Sequence, residues 1–128
     1  MERFFRRAVA FAAAVAVLVG AVNLIFGAAM HLPPERVTPE VDSQVRFFAV
    51  WFLALGPLVT WVLRDLPARG ALLRLVFGAM FFGALARAAS MVLVGLPEAP
   101  MIGATIFEAS LVLLLPLQAR VERGFVAT

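Results

Sequence analysis

The chain has 128 residues, of which 63% are hydrophobic and 15% charged, and its mean hydropathy is +0.99. Against about 25% charged residues in a soluble domain, that composition excludes an ordinary water-soluble protein and leaves one membrane domain, residues 1–128. The absence of cysteine removes disulfides, thiolate metal sites and iron–sulfur clusters; the net charge of +3 is carried by arginines at the edges of apolar runs, which suits lipid head groups and gives no sign of nucleic acid.

The first apolar run, residues 8–30, has Asn23 as its only polar side chain. Arg3, Arg6 and Arg7 precede it in the manner of a secretory leader. The run is far longer than a signal-peptide core of about 7–15 residues, so a retained first helix is expected. Residues 31–44 follow, broken by Pro33, Pro34 and Pro39 and charged at Glu35, Arg36, Glu40 and Asp42, and this predicts an irregular connection. The second span is read as residues 45–63, opening on Arg46 and carrying Gly56-Pro57 at its middle, where a kink is expected.

A polar stretch from Arg64 to Arg74 separates this from the third span, residues 71–94. Gly95-Leu96-Pro97-Glu98-Ala99-Pro100 is read as a tight turn. The fourth span is residues 101–117, closed by Pro116 and Arg120, with Val121–Thr128 as a short tail.

Arginine placement orients the chain. Arg3, Arg6, Arg7, Arg64, Arg69, Arg74, Arg120 and Arg123 fall on one side of four spans, and only Arg36 and Arg46 on the other. By the positive-inside rule both termini are then cytoplasmic. The use of arginine alone, with abundant Ala, Val and Leu, points to a GC-rich bacterial genome and hence to the bacterial cytoplasmic (inner) membrane. The fold expected is all-α, an integral membrane antiparallel four-helix bundle.

Inside the spans, three polar residues recur at one depth. Asn23 is seven residues from Met30, Arg87 seven from Val94, and Glu108 seven from Met101. Each is therefore roughly 10 Å below the outer boundary. Ala16, Gly20, Asn23 and Gly27 share a face of the first helix, as do Ala79, Gly83, Arg87 and Ser90 on the third. Such small-residue stripes let membrane helices approach closely, so both faces are expected to pack. An Arg87–Glu108 pair at this depth locks helices together, or forms the base of a pocket that holds a polar head group or exchanges a proton. Arg46 enters from the same end.

His31 is read as a solvated residue of the connection, and a single His without cysteine makes no ordinary zinc site. No metal and no cofactor is expected. Haem lacks a pair of axial ligands, and no Ser-His-Asp set, phosphate loop or metalloprotease motif occurs.

Val45-Arg46-Phe47-Phe48-Ala49-Val50-Trp51-Phe52-Leu53-Ala54-Leu55-Gly56, then Gly83-Ala84-Leu85-Ala86-Arg87, Gly95-Leu96-Pro97 and Glu108 together resemble the bacterial four-helix membrane family catalogued as domain of unknown function 4345. Its layout is similar to that of small four-helix proteins of the DoxX type. The resemblance implies that Arg46, Arg87 and Glu108 belong to a recurring pattern, and it brings no substrate with it. Phe47-Phe48-Ala49 departs from the Tyr-Gly-Gly-like segment expected there.

The function expected is non-enzymatic. The protein would bind a lipid-like or small amphipathic ligand through Asn23, Arg46, Arg87 and Glu108, or serve as an accessory subunit of a larger membrane complex. The alternatives are a proton-coupled carrier, which four short helices could form only by self-association, and a quinone-linked redox subunit. Membrane lipids are the partners common to all of these.

Overall fold

The computed structural model describes residues 1–126 and is all-α. Helix α1 spans Glu2–Phe26, α2 Pro39–Arg64, α3 Leu66–Leu93, α4 Ala99–Ser110 and α5 Leu114–Val126. Short 3₁₀ turns cover Gly27–Met30, Pro34–Arg36 and Leu111–Leu113. Among the described residues, four segments are long and apolar enough to cross a membrane: Glu2–Met30, Pro39–Arg64, Leu66–Leu93 and Ala99–Phe125. The chain is a multi-pass membrane protein.

The helices outrun the apolar runs at nearly every end, because hydropathy marks where lipid begins and not where helix begins. Thr38 Oγ1 accepts from Val41 N, and Pro39 occupies the first helical position, so α2 starts six residues before Val45. The stretch Arg64–Arg74, read as a polar break, is helix except at Asp65. That residue caps α3 by accepting from Ala68 N at 3.3 Å, with Pro67 in the first turn. Arg69, Gly70 and Arg74 are therefore helical.

The fourth segment does not stop at Pro116. Proline there has no N–H for the Val112 carbonyl, the chain tightens into the 3₁₀ turn Leu111–Leu113, and α5 then carries on to Val126. Most of the expected tail is thus helix, and Ala127 and Thr128 lie outside the described residues.

The fold divides into two compact units. Residues 6–64 form a hairpin of α1 and α2. Its contacts run in opposite senses along the two helices, since Arg6 donates to the Leu63 carbonyl and Arg46 to the Leu24 carbonyl. Between these ends, Gly20 sits against Ala49 and Leu53, and Gly56 against Val17. Three of the four positions in the small-residue stripe of α1 lie on a packing face, as read: Ala16, Gly20 and Gly27 are buried and Asn23 is half-buried.

The other unit comprises α3, α4 and α5 with the first five residues. Here too the helices are antiparallel, with Arg87 facing Glu108 and Arg74 facing Glu122. Leu66, Gly70, Leu73, Phe77 and Ala84 are the buried positions of α3, at steps of four, three, four and seven, with Met80 half-buried within the last step. Arg87 continues that seam. The stripe expected to pack instead stays open: Ala79, Gly83 and Ser90 are exposed, and nothing lies within 4 Å of a side chain placed at Gly83. Between membrane helices van der Waals packing, not removal from water, selects the face, and the bulky seam supplies more such contacts than the small residues could.

These two glycines give a paired prediction of opposite sign. A Cβ on Gly20 would stand 2.8 Å from the Ala49 carbonyl oxygen and 2.9 Å from Leu53 N, both backbone atoms that cannot swing away. Gly20→Ala is expected to cost about 1–3 kcal/mol through overpacking. Gly83→Ala is expected to be neutral or to stabilise by up to about 1 kcal/mol, as alanine is the better helix former. Thermal unfolding of both variants in mild detergent checks the contrast.

Candidate functional site

Arg87 projects from the seam of α3 toward α4. Its Nε donates to Glu108 Oε2 at 3.1 Å and its Nη2 to Glu108 Oε1 at 3.4 Å, while Nη1 donates to the Met101 thioether. The guanidinium fork thus meets the carboxylate with two parallel bonds, the arrangement in which an arginine–carboxylate pair is strongest. Glu108 is the more enclosed partner, its side chain 10% exposed against 36% for Arg87. Thr105, one turn before Glu108, is buried and donates to the Met101 carbonyl, so it adds no bond to the pair.

Chemically the site is a fixed cation and anion, with a soft sulfur on one flank. One edge of the guanidinium is open. Five N–H groups are available to arginine, and three are engaged here.

Asn23 and Arg46 make their bonds inside the other unit. Asn23 Oδ1 is 2.8 Å from His31 Nε2, so the histidine read as merely solvated is held, in an exposed bond to the half-buried Asn23. Arg46, though partly exposed, is tied down by several bonds. Its Nη1 donates to the carbonyls of Leu24 at 2.5 Å and Ile25 at 3.3 Å, and its Nε to Asp42 Oδ2 at 2.8 Å. Asp42 Oδ1 in turn accepts from Ala28 N at 2.9 Å.

The last carbonyls of a helix lack intrahelical donors and attract cations, and Arg46 serves both needs at the end of α1. Gly27, at φ +60°, lets the chain turn back beneath this cluster. The Asp42–Arg46 pair, one helical turn apart, is a latch between the end of α1 and the start of α2.

A third cluster lies near the other end of α3. Gln118 is fully buried and donates through Nε2 to the Gly70 carbonyl and to Glu122 Oε1, both at 2.7 Å. Glu122 Oε2 accepts from Arg74 Nη1 at 2.5 Å. The sequence reading missed Gln118, Glu122 and Gly70 because they fell at the supposed close of the fourth span, in a supposed tail and in a supposed break. The signal was present in the spacing: Gly70/Arg74 and Gln118/Glu122 are both four apart, on helices that the tight turn makes antiparallel.

No group of three or more His, Cys, Asp or Glu suited to a metal ion occurs among the described residues.

Residues 4–118 match the family described as Domain of unknown function (DUF4345). The chain belongs to this family. No curated protein and no solved structure matches it. The DUF4345 match covers α1, α2, α3 and α4 almost completely and ends at Gln118, so all three clusters fall wholly or partly within it. Arg46, Arg87 and Glu108, the residues on which the resemblance rested, each hold a specific polar bond in the DUF4345 fold.

Proposed function

We propose that this protein binds a lipid-like or small amphipathic ligand at the Arg87–Glu108 pair. The observation that carries the reading is the unequal enclosure of the pair: Glu108 is 10% exposed and held, whereas Arg87 is 36% exposed with guanidinium donors to spare. An arginine at this depth in a bilayer is costly unless its donors meet acceptors. A ligand with an oxygen-rich head and an apolar body supplies acceptors and replaces lipid along the exposed face of α3. Asn23 and Arg46 are left out of this proposal, since their bonds serve the α1–α2 hairpin.

A second reading, an accessory subunit or self-associating protein, is favoured by the open stripe of Ala79, Gly83 and Ser90 on α3. Membrane helices use faces of this kind to approach one another. In either reading the protein sits in the bacterial inner membrane with both termini cytoplasmic. The eight arginines on one side against two on the other support that orientation. No reaction is assigned to it.

Native mass spectrometry of the protein drawn from its own membrane in mild detergent tests the proposal. A small mass is expected on the wild type and is expected to be lost from Arg87→Met/Glu108→Leu, a variant that keeps the volume of the pair without its charges. A bound protein in place of a small molecule would favour the accessory reading. Equal spectra for the two forms, with no retained mass, would sink the ligand reading.

A further inference from the structure

A groove of about 430 Å³ lies at the arginine-rich end of the α3–α5 unit, lined by Met1, Glu2, Arg120, Val121, Gly124 and Phe125. It is separate from the Arg87–Glu108 pair, because Arg120 is twelve residues beyond Glu108, or about 18 Å of helix. Its walls are apolar where Met1, Val121 and Phe125 contribute. Gly124 leaves it open, with no atom within 4 Å of where a side chain would begin.

The charge at this end is positive. Arg3, Arg69, Arg74, Arg120 and Arg123 stand against Glu2, Asp65 and Glu122. Glu122 is taken by Arg74 and Gln118, Asp65 caps α3, and Glu2 has an interaction of its own. Arg120 is exposed and makes no hydrogen bond or ion pair among the described residues.

We infer that this groove is a binding site for an anionic glycerophospholipid. The phosphate is held by Arg120, and the upper part of an acyl chain lies against Met1, Val121 and Phe125. The combination matters. Scattered surface arginines attract any anionic leaflet, whereas one uncommitted arginine above an apolar trough selects a molecule that is charged at one end and greasy at the other. Net positive surroundings favour a head group with no ammonium of its own. The inference does not depend on the reading of the Arg87–Glu108 pair.

The test is lipid competition. Purified full-length protein in detergent is offered equimolar phosphatidylglycerol and phosphatidylcholine, and the bound lipid is weighed by native mass spectrometry. Wild type is expected to retain phosphatidylglycerol about fivefold over phosphatidylcholine, the factor typical of one arginine at an anionic surface. Arg120→Gln is expected to bring the ratio near parity. Gly124→Leu, which fills the groove and leaves every charge in place, is expected to do the same. Arg123→Gln removes one exposed charge from the same helix without touching the groove, and is expected to keep the preference. So is Arg87→Met/Glu108→Leu.

Equal losses in Arg120→Gln and Arg123→Gln, with Gly124→Leu unaffected, would reduce the effect to diffuse surface charge and overturn the inference. Retention of phosphatidylcholine or phosphatidylethanolamine at the level of phosphatidylglycerol would overturn it as well. Displacement of the lipid by glycerol phosphate at equal concentration would mark a site for a free phosphate instead of a lipid.

Discussion

Glu108→Ala is expected to destabilise the protein by about 3–5 kcal/mol, the usual cost of stranding one member of an enclosed ion pair. Without the carboxylate, Arg87 keeps only the Met101 thioether, a weak acceptor, for a guanidinium that otherwise makes two bonds to Glu108. An arginine stays charged at any accessible pH, so it cannot escape by losing a proton. Arg87→Ala leaves the opposite charge stranded and is expected to be damaging too.

The diagnostic variant is Arg87→Met with Glu108→Leu. Both charges then vanish while the volume on the α3 seam and the α4 face stays nearly constant, and stability is expected to return to within about 1 kcal/mol of wild type. Thermal unfolding of all four forms in one detergent closes the cycle. A double variant as unstable as either single would show that the two side chains are held for separate reasons, and the pairing would be wrong.

The sequence made this pair legible because lipid is a severe filter. Two charged residues, each seven positions from a shared turn, have few other ways to satisfy one another. The same filter exposed the four spans. It failed where water takes over. Beyond the apolar runs, hydropathy says nothing about helix, and the cap at Asp65, the cap at Thr38 and the passage through Pro116 extended helices into regions read as loop.

The α3 stripe failed for a different reason. Small residues permit close approach and do not compel it, and Leu66, Leu73 and Phe77 claimed the interior. On α1 the buried Val9 lies on the same face as Ala16 and Gly20 and does not compete with them, so there the same pattern read true. Asp42 escaped notice because it looked like one charge among several in a polar connection. Its partner Arg46, four residues on, was visible; the Ala28 N–H that it also binds depends on how the chain leaves α1.

That exit makes Gly27→Ala the second large effect. At φ +60° an L side chain costs about 1 kcal/mol by itself. The added carbon would also collide with Asp42 Oδ1 and stand 2.8 Å from Arg46 Nη2. Either the turn or the latch must give way. If the latch opens, Ala28 N loses its acceptor and the Leu24 and Ile25 carbonyls lose Arg46, and bonds to charged groups contribute about 1.5–3 kcal/mol each.

A loss of about 3 kcal/mol is therefore expected for Gly27→Ala, well above what glycine-to-alanine changes produce where space is open. Asp42→Ala separates strain from collision. It removes the carboxylate that the new carbon would strike, so the two substitutions share one broken latch and their costs should not add. Gly27→Ala in the Asp42→Ala background is expected to cost only the backbone term, about 1 kcal/mol. Full additivity in that cycle would mean that Gly27 is required for its φ alone, and that the latch tolerates a side chain beneath it.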